Sequence, residues 1–125
     1  MSTLALERPA TEDLVLSKAA IRTAERLGLT SQDFAAVLGL SEASISRLRN
    51  EKLFLHRGQK AFELALLLVR LFRSLDAITG GDEMVSRRWM KAHNSALGGL
   101  PVEKIKSIAG LMDVIAYLDT RRAIL

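Results

Sequence analysis

Cysteine is absent from these 125 residues, and with it go disulfides, thiolate metal sites and a cysteine nucleophile. That absence fits a reducing cytosol. The two histidines, His56 and His93, stand 37 positions apart and have no ligand-spaced partners. Neither a metal centre nor a general acid–base pair takes shape around them. No phosphate loop follows a strand, no serine sits on a strand-to-helix elbow, and Gly98-Gly99 alone is a turn signal. The chain therefore reads as no enzyme and as needing no cofactor. Long apolar runs are missing too. The longest, Leu64 to Val69, falls far short of the roughly 20 residues a membrane span requires. The opening MSTLALERPATEDL lacks a basic stretch followed by an apolar core, so no secretory signal is visible. These absences lead us to expect a soluble, cytoplasmic protein without a membrane partner.

What is present is globular: 49% hydrophobic and 26% charged residues, enough for one compact domain or a small domain with an appendage. The net charge of +4 is modest, and its placement says more than its size. Residues 1–55 carry seven basic and seven acidic side chains, whereas within 43–60 Arg47, Arg49, Lys52, Arg57 and Lys60 face only Glu51. Phosphate contact needs such a local cluster more than it needs global charge. The cluster is small, so one copy should bind weakly and a homodimer on adjacent half-sites is expected.

That cluster follows the stretch LTSQDFAAVLGLSEASISRLRN, Leu29 to Asn50. A first helix is expected over about Ser31 to Leu38, with Thr30 as N-cap, Asp33 as capping-box partner and Phe34, Val37 and Leu38 as its apolar stripe. Ala35 is small enough for close crossing. Gly39 falls where the chain must turn sharply. Ser41 can cap a second helix whose inward positions are Ile45 and Leu48, which leaves Glu42, Ala43, Ser46, Arg47 and Asn50 outward. A short, exposed, polar helix is what a major groove accommodates, although an ordinary αα-corner with solvated Arg47 and Arg49 has the same spacing. The stretch resembles the helix-turn-helix of the Xre/Cro group of phage-type repressors. The resemblance implies base-edge contact by Glu42, Ala43, Ser46 and Arg47 and phosphate contact by Gln32. Ser41, Arg49 and Asn50 complete the DNA-binding candidates.

The rest of the chain reads as helices, with no alternating β-branched run long enough for a strand. Residues 1–11 form an arm. Thr11 is expected to cap a helix over about Glu12 to Leu27, buried through Leu14, Ala20, Ile21, Ala24 and Leu27 and stopped by Gly28. Phe54 and Leu55 should tuck back onto this core. Gly58 to Ile78 reads as one long helix with apolar residues all round its axis. We expect one face to pack internally and Leu64 to Phe72 to contribute to a dimer contact, the alternative being a central helix covered by residues 82–122. Gly80-Gly81 breaks it and Asp82 caps the next helix, which carries Arg87, Arg88 and Trp89. Gly98 and Gly99 turn the chain, Pro101 suits a first helical turn, and Gly110 marks a further break. The last helix, Leu111 to about Arg122, buries Leu111, Val114, Ile115 and Leu118. Arg121 and Arg122 at its end complement the helix dipole. The architecture is thus all-α: an arm (1–11), a helix-turn-helix region (12–57), a long connecting and dimerisation helix (58–80) and a C-terminal helical subdomain (82–125).

The C-terminal run SRRWMKAHNSALGGLPVEKIKSIAGLMDVIAYLDTRRAIL resembles the toxin-binding domain of the MbcA/ParS/Xre antitoxin family. The matching positions are Arg88-Trp89, Asn94, Leu97-Gly98-Gly99, Pro101, Gly110-Leu111, Val114, Tyr117-Leu118-Asp119 and Arg122. The resemblance implies a RES-domain toxin that consumes NAD⁺ or uses it for ADP-ribosyl transfer, blocked at its active-site entrance, in a complex that represses its own operon. Trp89, Asn94, Tyr117, Arg121, Arg122, Ile124 and Leu125 become the toxin-binding candidates. Trp89 also reads as a core anchor, and Arg121 and Arg122 also read as simple helix caps. A repressor that stands alone, its C-terminal half serving dimerisation or ligand sensing, is the alternative function.

Overall fold

The computed structural model describes residues 9–123, which form seven α-helices and one isolated antiparallel bridge, Asn94 with Gly99. Helices α1 (Thr11–Leu27), α2 (Ser31–Leu38) and α3 (Glu42–Arg49) meet at two tight corners. Gly39, at φ 69°, ends α2 in the left-handed region that a side chain would strain. The Thr30 hydroxyl accepts the Asp33 N–H at 3.0 Å while the Asp33 carboxylate accepts the Thr30 N–H at 3.1 Å, a complete capping box. Thr11, by contrast, is the first helical residue of α1 and not its cap. The Ala10 carbonyl already accepts the Leu14 N–H, and Glu12 and Asp13 supply the favourable charge at that end.

The inward stripe of α1 is more polar than expected. Leu14 and Ile21 are only half-buried, and Asp13, Ser17 and Thr23 lie inward beside Leu16, Ala20, Ala24 and Leu27. Two of these polar groups receive the chain that returns after α3. The Ser17 hydroxyl accepts the Leu55 N–H at 2.8 Å. The Asp13 carboxylate accepts the Arg57 N–H at 3.2 Å and pairs with His56 Nδ1 at 3.0 Å. Buried oxygens so satisfied cost little, and they fix Leu55 in the core.

Helix α4 (Lys60–Thr79) begins after Gly58, whose φ of 94° is not helical. It is the central element. Leu64, Leu68, Leu71 and Leu75 are all buried within a single chain, with α1, α2, α5 (Glu83–Lys91) and α7 (Ile108–Ala123) packed around the axis. Leu64, Leu68 and Leu71 therefore need no second copy for cover. The long-range packing of α7 against α4 supplies that cover, and Leu66 alone among the large apolar side chains of that segment stays exposed.

The Asp82 carboxylate caps α5 by accepting the N–H groups of Met84 and Val85 at 3.1 and 3.2 Å. Pro101 occupies the first turn of the short α6 (Pro101–Lys104), as its missing N–H permits. Gly110 is not a break: it lies in the first turn of α7, where a Cβ would sit 1.9 Å from the Lys104 carbonyl oxygen. Glycine there lets the end of α6 cross the start of α7. Two of the joints that tie the halves together lie on α5 and α7. Arg87 donates to the Glu25 and Arg26 carbonyls at 2.7 and 3.4 Å at the end of α1, where the Glu25 carbonyl also accepts the Gly28 N–H. Asp119 accepts the Ser74 hydroxyl at 3.0 Å and pairs with Arg70, clasping α7 to α4.

Candidate functional site

Ile45 and Leu48 anchor α3, each buried side chain worth about 1.5–3 kcal/mol relative to exposure. The Ser41 hydroxyl accepts the Ser44 N–H at 3.0 Å and donates to Ser44 Oγ at 3.1 Å, so Ser41 serves the helix start. Glu42, Ala43, Ser46, Arg47 and Asn50 are exposed, as is Gln32 in the first turn of α2. Arg49 departs from this set. It follows Ile45 by four residues and so shares its side of the helix. Its side chain is 29% exposed, pairs with Glu25 at 3.8 Å and lies 5.8 Å from the Phe34 ring centre. Arg49 holds α3 against α1 and α2.

The capping box of α2 is also the point where the C-terminal half touches the motif. Lys106, between α6 and α7, reaches Asp33 at 3.0 Å and Glu103 at 3.0 Å. Burial pushes the Asp33 carboxyl up, but the hydrogen bonds from Lys106 and Thr30 outweigh it and hold the group below its ordinary 3.8. The Asp33 and Glu103 carboxylates hold Lys106 above its ordinary 10.5 despite some burial. The depressed Asp33 stabilises the fold above its unfolded pKa, and that contribution is lost as pH falls through the folded value. Raised Lys106 stabilises below its unfolded pKa and loses its contribution as pH rises through the folded one. Lys106→Met should therefore lower stability by about 1 kcal/mol or less at neutral pH. Melting curves from pH 7 to 2 should show the gap to wild type close below the ordinary carboxyl range. A gap that persists at pH 2 would mean lost packing and not the lost ion pair.

In the C-terminal half, Trp89 packs against the core, and its ring stacks on Tyr117 with centroids 6.3 Å apart and planes at 21°. Arg121, one turn beyond Tyr117, places its guanidinium 5.1 Å from that ring centre. The fold thus joins Trp89, Tyr117 and Arg121 into a column that ends at an exposed cation. Asn94 does different work. It exchanges backbone hydrogen bonds with Gly99 at 2.9 and 3.2 Å, and its side-chain oxygen accepts the Leu97 N–H at 3.2 Å. Arg122 is exposed on the flank of α7 that faces Arg73 across a groove. Ile124 and Leu125 lie outside the described residues. The sequence reading passed over the joints made by Lys106 and Arg87, because no local pattern marks a side chain whose partner is distant in the chain.

Among the described residues no three His, Cys, Asp or Glu side chains are grouped to hold a metal ion, and no helix is long and apolar enough to cross a membrane. Comparison with curated proteins finds no match. Two family models do match. Residues 8–70 fit the antitoxin Xre-like helix-turn-helix domain, and residues 74–123 fit the antitoxin Xre/MbcA/ParS C-terminal toxin-binding domain. The first spans α1 to the middle of α4 and includes the α2–α3 corner; the second spans the Trp89–Tyr117–Arg121 column. On these matches the chain belongs to the Xre-like antitoxins that join a helix-turn-helix to an Xre/MbcA/ParS toxin-binding domain.

Proposed function

We propose that this antitoxin neutralises a RES-domain toxin, one that consumes NAD⁺ or transfers ADP-ribose, by blocking its active-site entrance, and that it represses its own operon by presenting α3 to the major groove. The observation that carries this reading is the presence of two exposed polar faces on different helices of one folded chain. One is Glu42, Ala43, Ser46 and Arg47 on α3, seated by Ile45 and Leu48. The other is the end of α7, where Arg121 is oriented by Tyr117 and Trp89. A cation held on a helix loses less entropy on binding than one on a loose tail, which suits Arg121 and Arg122 to the entrance of a site for a negatively charged dinucleotide. Ile124 and Leu125, which follow in the sequence, belong to the same proposed contact. The protein acts in the cytoplasm, has no catalytic role, and binds DNA as a homodimer, since one short recognition helix gives little affinity alone.

The DNA half is tested at α3. Arg47 is exposed, so Arg47→Ala should leave the fold intact and weaken operator binding by about 1–3 kcal/mol in a gel-shift titration at fixed salt. Unchanged affinity would remove Arg47 from the contact list, and the same result for Glu42 and Ser46 would end the DNA-binding assignment of α3. Sedimentation of the wild type at micromolar concentration tests the homodimer; a monomer of 13.7 kDa at high concentration would refute it.

A further inference from the structure

An open groove of about 730 Å3 runs between α1, α4 and α7, and neither the operator face nor the Trp89–Tyr117–Arg121 column uses its floor. Phe62 and Leu66 on α4 and Val15 and Ala19 on α1 line the floor. Val15 is 60% and Leu66 49% exposed, two of the largest apolar exposures in the described chain. A volume of this size is that of an organic-ligand site, which needs an apolar wall and a few polar groups that fix orientation. The polar groups here are unequal at the two ends. Where α4 begins, Arg57 is neutralised by Glu12 at 2.7 Å. One turn beyond Leu66, Arg70 is neutralised by Asp119, but Arg73, a turn further on, and Arg122 have no carboxylate partner within 4 Å among the described residues. The groove is therefore apolar along its length, neutral at one end and doubly cationic at the other.

That polarity is complementary to a molecule with one anionic head and one apolar tail. We propose that the groove binds an amphipathic organic monoanion, an aliphatic or aryl carboxylate. Its tail lies over Phe62 and Leu66, and its carboxylate sits between Arg73 and Arg122. The floor from Phe62 to Val69 is seven residues of helix, roughly 10 Å at 1.5 Å per residue, and accommodates a chain of about eight to ten carbons. Guanidinium is suited to the head because its planar fork meets a carboxylate with two parallel hydrogen bonds. Because the ligand touches α1, α4 and α7 together, it stabilises their packing as well as filling the groove.

Decanoate is the probe, with 1-decanol and decyltrimethylammonium as neutral and cationic counterparts, titrated calorimetrically into the full chain. Decanoate should saturate one site per chain and raise the melting temperature, while the other two bind at least about tenfold more weakly. Arg73→Ala should weaken decanoate about tenfold and leave the weak decanol binding unchanged. Leu66→Asp should abolish both. Leu66 is half exposed, so its variant is expected to fold, and circular dichroism confirms this before titration. Equal affinity for decanoate and decanol, or an Arg73→Ala variant that binds decanoate as the wild type does, would overturn the proposal. So would a wild type that binds no decanoate and forms a dimer that Leu66→Asp dissolves, because the groove would then belong to a second copy.

Discussion

Gly110→Ala should destabilise the protein by about 3 kcal/mol, the upper end of what overpacking in a rigid site costs. A Cβ at this position falls 1.9 Å from the Lys104 carbonyl oxygen and 2.8 Å from the carbonyl carbon, so backbone must move on one side or the other. The expected sign is opposite to that of helix propensity, which favours alanine over glycine by about 1 kcal/mol inside a helix. Gly99→Ala is the matched control. Its Cβ would meet only the Lys104 side chain, at 4.0 Å, and the change should be nearly neutral. Urea denaturation of both variants reads the difference, and the Gly110→Ala midpoint should fall by roughly 10 °C in a thermal scan. A stabilised Gly110→Ala would mean that α6 and α7 do not cross as described.

The second large effect concerns the toxin. Reversing both cations at the end of α7, Arg121→Glu with Arg122→Glu, should abolish protection of cells that express the partner toxin. Both side chains are exposed, so the fold should survive. On the proposed reading two positive charges that meet a site for a dinucleotide phosphate become two negative ones, and like-charge juxtaposition in a desolvated contact costs several kcal/mol, which is a loss of a thousandfold or more at about 1.4 kcal/mol per decade. Growth and cellular NAD⁺ after co-expression with wild type, the double variant and Tyr117→Ala give the readout. The Tyr117 variant should fall between, since it removes the ring over which Arg121 lies but not the charge. Full protection by the double variant would move the toxin contact to another face, with the Asn94 turn next in line.

The parts of this molecule that depend on neighbours in sequence were legible before the structure. Thr30 with Asp33, Gly39, and Ser41 ahead of Ile45 and Leu48 are local devices, and each occupies its expected place in the α2–α3 corner. What failed to read out depended on partners far along the chain. An apolar girdle on α4 says that the helix must be covered, not by what, and α7 arrives from more than 30 residues away. Gly110 carries the same letter whether it ends a helix or admits a crossing carbonyl, and only the position of Lys104 decides between them. Arg49 is a DNA-binding candidate by its place in the basic cluster, and its pairing with Glu25 and Phe34 could not be read from the sequence because both partners lie on other helices. Asp13 and Ser17 interrupt the expected apolar stripe of α1 because the returning chain at Leu55 to Arg57 needs acceptors for its N–H groups.

One paired measurement tests the two-surface reading most directly: operator affinity by gel shift and cellular NAD⁺ under toxin co-expression, both determined for Arg47→Ala and for the Arg121→Glu, Arg122→Glu variant. The α3 face and the end of α7 are separate exposed parts of one folded body. Arg47→Ala should therefore lose operator affinity and keep NAD⁺ at the protected level, while the arginine-reversed variant should bind operator normally and let NAD⁺ collapse. Loss of both activities in either variant, with the fold intact, would contradict a division of labour between α3 and α7.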